Sequence, residues 1–252
     1  MFLLGDSHTR SYVLSKHMNC VFIGSGKENN LSSLASILIY VLKLFIIKLY
    51  FKNIKSHSIG LVLGESDLRI AYYGDYHPNN QVRSDFQQKQ HIDRVTRNFK
   101  RLILLLRFIG YEISFIIGSG TPNNELAKLS SELNFKFKVI AESFNIHFFD
   151  PQKVFNEHSF KEKFIGMSVF NSSELDSIHF SPYISKEFDR FAKKKIINIS
   201  EKMETIRIKN RLIDIDYSDK FSCFRCKFSP FLNITIKIIL HLEDLIRRNH
   251  SR

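Results

Sequence analysis

Cysteine is scarce in this chain. Three cysteines in 252 residues argue against a disulfide scaffold. Cys223-Phe224-Arg225-Cys226 has the spacing of half a zinc site, but only His241 and His250 follow as further ligands. Both cysteines are therefore read as structural, and no metal or cofactor is expected. Carboxylates are also in short supply: 25 acidic residues face 37 basic ones, a formal charge of +12. That imbalance suggests an anionic partner, such as an acidic glycan, a membrane surface or a nucleic acid. The plainer reading is a solvated basic surface of lysine-rich composition. No nucleic acid is expected, since no recognised motif or regular aromatic–basic interleaving is present.

No internal repeat and no low-complexity linker divides the chain. The most apolar stretch, residues 35–51, is short for a membrane span and is interrupted by Lys43 and Lys48. It is expected to be a buried helix of an α/β core, with peripheral membrane contact as the alternative. No cleavable leader is expected, because the Gly-Asp-Ser turn at residues 5–7 would be lost with it. The expected location is therefore cytoplasmic.

What is there is an ordinary apolar content of 44% and length enough for one sizeable α/β domain. Strand-like runs at residues 1–4, 20–23, 58–63, 112–117 and 146–149 alternate with helix-like ones. That alternation predicts a three-layer sandwich around a central parallel sheet. Helices are predicted over 31–51, 86–109, 124–144 and 184–197. The third of these is open to a break at Phe135-Lys136-Phe137-Lys138, and a short helix can open at 11–17. Residues 72–85 read as a long polar loop near the site. A boundary is placed at 197/198, with 198–252 as a basic, helical C-terminal extension. Within it, 234–248 reads as an amphipathic basic helix, and the stretch from about 206 has no clear assignment.

Phe2-Leu3-Leu4 runs into Gly5-Asp6-Ser7. A buried strand thus delivers a serine to the carboxyl edge of the sheet, where α/β folds place their ligands. Far downstream, Asp176 and His179 stand three residues apart. A hydroxyl nucleophile, an imidazole base and a carboxylate that orients it are the three parts an acyl-transfer enzyme needs.

In these features the sequence resembles the SGNH (GDSL-type) hydrolase superfamily over residues 1–197. Gly5-Asp6-Ser7 matches the family's first block. Gly26, with Gly24 as its rival, matches the glycine after the second strand. Gly64-Glu65-Ser66-Asp67 stands where the third block reads Gly-x-Asn-Asp, and Asp176-x-x-His179 matches the fourth. The resemblance implies Ser7 as nucleophile, His179 as base and acid, and Asp176 as its orienter. It implies an oxyanion hole from the Ser7 amide, Gly26 and Ser66. Asp6, Glu65, Asp67 and Arg69 form the candidate substrate-binding set, although Asp6 can equally fix its turn and Asp67 can be structural. Ser66 departs from the family's asparagine. Its hydroxyl can donate a hydrogen bond, but it is shorter and less fixed in direction than an amide. Arg69 offers a fork suited to an oxyanion or an acidic substrate. The run Gly64-Glu65-x-Asp67-x-Arg69 also resembles a variant in members linked to bacterial surface polysaccharides.

The implied activity is a serine ester hydrolase that removes an acyl group, such as acetyl, from a carbohydrate or similar small substrate. Two rivals use the same residues. An O-acyltransferase would pass the acyl group to a sugar hydroxyl, and a catalytically degenerate relative would bind a glycan or a partner protein.

Overall fold

The computed structural model describes residues 2–5, 11, 12, 14, 15, 18–23, 31–50, 59–74, 81–165, 179–195, 208, 209, 213–218, 223–228, 234 and 238. Strand β1 (Phe2–Gly5) is followed by β2 (Asn19–Phe22), helix α1 (Leu34–Tyr50), β3 (Ile59–Val62), α2 (Glu65–Tyr73) and α3 (Asp85–Phe108). Then come β4 (Ile113–Ile117), α4 (Asn124–Ser143), β5 (His147–Phe149), α5 (Pro151–Glu157), a 3-10 turn (Lys161–Phe164) and α6 (Ile184–Lys195). Three further strands, β6 (Ile208–Lys209), β7 (Ile213–Ser218) and β8 (Cys223–Phe228), complete the sheet.

The strand order is β5-β4-β3-β1-β2-β8-β7-β6. The five strands β1–β5 are mutually parallel, and β8 adds to β2 in the same sense. Strands β7 and β6 then turn back antiparallel. Parallel neighbours require crossovers, and crossovers cover both faces of the sheet. This is why the strands read as unbroken apolar runs. Phe2 and Leu4 pack under α1, α2, α3 and α4, whereas Leu3 points into a second cluster with Tyr12, Phe155, Phe164 and Phe188. The expected three-layer α/β sandwich is present.

The helix predicted over 86–109 forms as α3, and Ile92, Val95, Phe99, Leu102, Ile103 and Leu106 are all fully buried. Ser84 caps it: its hydroxyl accepts from the Gln87 amide while Gln87 returns a bond to the Ser84 amide.

Four expectations are corrected. Helix α4 is unbroken through Phe135-Lys136-Phe137-Lys138. The period-2 look of that run is overridden by a helical stripe of Leu126, Leu129, Leu133, Phe137 and Ala141, all buried. Phe135 points outward, and Lys136 reaches Asp93 of α3 at 2.6 Å. Residues 72 and 73, placed in a loop, instead close α2, which ends at Gly74 in the left-handed region (φ 78°). Helix α1 is buried on one face only; Leu34, Leu38, Phe45 and Leu49 are exposed. The C-terminal extension is not simply helical, because β6, β7 and β8 lie within it and join the main sheet. Of the predicted helix at 234–248, only Ile234 and Ile238 are described; both are helical and exposed.

Phe99 of α3 and Phe137 of α4 stack with ring centres 4.1 Å apart, and both are fully buried. Phe137→Ala is expected to lower the unfolding free energy by about 3–5 kcal/mol. Urea denaturation followed by circular dichroism measures it. A loss under about 1 kcal/mol would mean that the pair is not central to the core.

Candidate active site

Register brings the strand ends to one edge. Gly5 pairs with Phe22 on one side and Val62 on the other; Val62 pairs with Ile117, and Ile117 with Phe149. The ladder continues one residue further: Ile23 N–H donates to Gly5 C=O (3.0 Å), Leu63 N–H to Ile117 C=O (3.1 Å), and Gly118 N–H to Phe149 C=O (3.0 Å). The adjacent strands β2, β1 and β3, which three of the four sequence blocks follow in the chain, therefore end at the same carboxyl edge. Ser7 follows Gly5 by two residues. It lies outside the described residues, as do Asp6, Gly26, Gly24 and Asp176.

The third block is fully described. Only Leu63 and Gly64 separate β3 from α2. Gly64 makes that turn at φ 101° and ψ −9°, a conformation open to glycine and strained for side-chain-bearing residues. A Cβ here would also press on Phe137 at 3.2 Å and Leu133 at 3.3 Å. Glu65, Ser66 and Asp67 then form the first turn of α2, and all three are buried. Ser66 sits where helix amides and the positive end of the peptide dipoles point outward. Among the described residues, no group hydrogen-bonds the Ser66 hydroxyl.

The candidate substrate-binding residues of α2 engage protein groups. Both Asp67 oxygens accept from the Leu31 amide at 3.0 Å, which ties α2 to the start of α1. Arg69 Nη2 donates to Glu65 Oε2 at 2.9 Å, and Arg69 Nε lies 2.8 Å from Glu65 Oε1. This is an intrahelical fork four residues apart, with both side chains almost fully shielded. The fork expected to face a substrate is thus occupied on one side by its own helix.

His179 is buried and immediately precedes Phe180. Phe180 is held in three ways. Its carbonyl accepts from the Ser11 hydroxyl at 2.7 Å. Its ring lies 5.2 Å from Phe155 and 6.0 Å from Phe164. It also packs so closely on Gly120 that a Cβ there would stand 2.4 Å from the ring. Ser185 of α6 completes the clamp, donating to the Ser11 carbonyl at 2.9 Å. A second tie joins Ser15 to Asp189 at 2.5 Å. The segment four residues beyond Ser7 is therefore stitched to the residue beside His179 across 169 positions of sequence.

Sequence reasoning missed the polar frame around the β4 and β5 ends. Asn134 of α4 accepts from the Ser119 amide and donates to Ser119 C=O and to Asp150. Gln152 accepts from the Thr121 amide. The signal was a Gly118-Ser119-Gly120-Thr121 turn facing Ser130 and Asn134, the two polar residues on the buried stripe of α4. Asp150 caps α5 through the Lys153 amide, and burial raises its carboxyl above the usual range against the pull of those hydrogen bonds. Burial also lifts the Tyr12 hydroxyl well above its ordinary value, with Cys20 and Asp150 adding to the effect, so Tyr12 stays neutral. Among the described residues, no group of three or more His, Cys, Asp or Glu is placed to hold a metal.

No protein family matches the chain by sequence, and no curated protein does. Solved structures match by shape. A variant of an acetyl-xylooligosaccharide esterase from Geobacillus stearothermophilus superimposes with a TM-score of 0.50 at 14% identity, covering 81% of this chain and 96% of that one. A lipase/acylhydrolase from Enterococcus faecalis gives 0.48 at 13% identity, covering 80% and 98%. The fold of this chain is that of the SGNH hydrolases.

Two outcomes follow from this geometry. Ser185→Ala leaves the buried Ser11 carbonyl short of a donor, and a loss of about 1–3 kcal/mol is expected in denaturant titration. Asp150 binds its proton more tightly folded than unfolded, so its contribution is full below the ordinary carboxylate pKa and fades as pH rises through the raised value. The stability of Asp150→Asn relative to wild type should therefore increase from about pH 4 upward, measured by thermal melts across pH. A pH-independent difference would contradict it.

Proposed function

We propose that the protein is a serine-dependent ester hydrolase whose nucleophile is Ser7. The observation that carries this reading is the clamp between the two halves of the site: Ser11, four residues after Ser7, donates to the carbonyl of Phe180, the residue after His179. A hydroxyl–imidazole pair needs its two backbones held in fixed relation, since misplacement by about 1 Å can cost on the order of 10²-fold in rate.

In this reading His179 takes the Ser7 proton as Ser7 Oγ bonds to the ester carbonyl carbon. Asp176 orients the imidazole and stabilises its charged form. The oxyanion is met by the Ser7 amide, Gly26 and the Ser66 hydroxyl. Collapse breaks the ester C–O bond, and His179 returns the proton to the leaving alcohol. Water then releases the acyl group by the same route. The substrate is a short acyl ester, such as acetyl, on a carbohydrate. This follows the sequence resemblance and the activity named for the Geobacillus esterase of like fold. Glu65 and Arg69 remain the candidates for substrate contact, and Asp67 is assigned to holding Leu31.

A fluorophosphonate is expected to label folded protein at Ser7, identified by peptide mass spectrometry. Ser7→Ala should abolish labelling and cut hydrolysis of p-nitrophenyl acetate by about 10⁴-fold or more, with an unchanged melting curve. Absence of labelling in folded wild type would overturn the reading. Added sugars that divert acetyl from water would reassign the acceptor and make the protein a transferase.

A further inference from the structure

We infer that the outer face of α1 and α3 is a docking surface for an anionic lipid membrane. Four large apolar side chains of α1, Leu34, Leu38, Phe45 and Leu49, stand on one stripe and are 40–52% exposed. Their spacing of four, seven and four residues keeps them in line along about 22 Å of helix. Partly buried Val41 and Leu42 fill the gap between them. The opposite face of the same helix is the core face, with Ile37, Tyr40, Leu44 and Ile47 fully buried. The stripe is therefore surplus to folding.

Helix α3 lies beside it. Asn98 donates to Leu31 C=O at 2.8 Å, Tyr111 to Leu44 C=O at 2.7 Å, and Lys48 to Ile109 C=O at 2.7 Å, so α1 and the residues just before it are held against the second half of α3 and the turn that follows it. The outward side chains of α3 include Arg94, Arg97, Lys100 and Arg101, all exposed. The same helix exposes Leu104 and, at its end, Phe108, which is 88% exposed. Carboxylates are absent from both stretches: none occurs between Glu28 and Glu65, and none between Asp93 and Glu112.

An apolar row beside a row of cations with no acid between them matches the chemistry of an anionic bilayer surface. Apolar side chains enter the acyl boundary while cations meet lipid phosphates. The charge argues against a second copy of the chain, since a two-fold pairing would set arginines against arginines. The apolar row argues against a nucleic acid, whose phosphates would meet leucine and phenylalanine. No described helix is long and apolar enough to cross a membrane, so the contact is with the surface.

Sedimentation of the full chain with vesicles tests this. One set contains phosphatidylcholine alone and the other equal parts of phosphatidylcholine and phosphatidylglycerol. Wild type is expected to bind the second set at least about 10-fold more tightly, with binding that weakens as NaCl is raised. Arg97→Glu with Lys100→Glu, and separately Leu38→Glu with Phe45→Glu, should each reduce partitioning about 10-fold or more. The first pair changes only exposed positions, so it carries the test if the second fails to fold by circular dichroism. Wild type that binds neither set overturns the inference. So does a charge-reversed variant that binds like wild type, which would move the contact to another basic segment. Dimeric wild type on size exclusion, made monomeric by Leu38→Glu with Phe45→Glu, would give the face to a second copy and also overturn it.

Discussion

Strand β1 is only four residues long, yet it is hydrogen-bonded to a parallel neighbour on each side and apolar on both faces. The rest of the structure depends on that burial. A parallel neighbour cannot be reached by a tight turn, so each pairing around β1 demands a crossover. The crossover from β2 to β3 is α1 and that from β4 to β5 is α4, both on one face; the 11–12 segment and α6 cover the other. The same constraint sends the carboxyl ends of β1–β5 to one edge. Convergence of distant turns at that edge is a result of strand sense, and it needs no contact among the turns themselves.

Strand sense alone leaves the turns loose, and the structure fixes them with buried side chain to backbone hydrogen bonds. Asp67 holds the Leu31 amide, Asn134 holds both backbone groups of Ser119, Gln152 holds the Thr121 amide, and Ser11 holds the Phe180 carbonyl. An apolar contact tolerates sliding, whereas a buried donor–acceptor pair loses its full desolvation compensation when it separates. The carboxyl edge is thus built of directional contacts and the two cores of non-directional ones. Glycine appears where the packing leaves no room for a side chain: Gly64 under Phe137 and Gly120 under Phe180.

Where burial is apolar and periodic, the sequence was sufficient to read the fold. The five parallel strands and helices α1, α3, α4 and α6 each carry a period of 2 or 3.6, or an unbroken apolar run. Helix α2 was invisible because its buried positions are largely polar: Glu65, Ser66, Asp67 and Arg69 leave no apolar stripe to count. Strand β7 was readable in principle, since Ile213, Ile215 and Tyr217 alternate with Asp214, Asp216 and Ser218. Its place beside β8, and through β8 beside β2, depends on pairing that no local pattern encodes. For the candidate site, the shared carboxyl edge of β1, β2 and β3 was legible. The Ser11–Phe180–Ser185 clamp was not, because serine hydroxyls on turns are common and nothing local distinguishes one that reaches across 169 residues.

Leu31 connects the carboxyl edge of the sheet to the outer surface. Its amide is held by Asp67 in the first turn of α2, and its carbonyl by Asn98 in the middle of α3. Three residues later Leu34 begins both α1 and the exposed apolar row. One short segment therefore sets the height of α1 against the sheet edge and against the basic helix. A helix with a single buried stripe needs polar residues on its other side to stay soluble. Helix α1 carries leucine and phenylalanine there instead. Its neighbour supplies the charge, and a partner that matches both helices at once must present an apolar layer under a layer of anions.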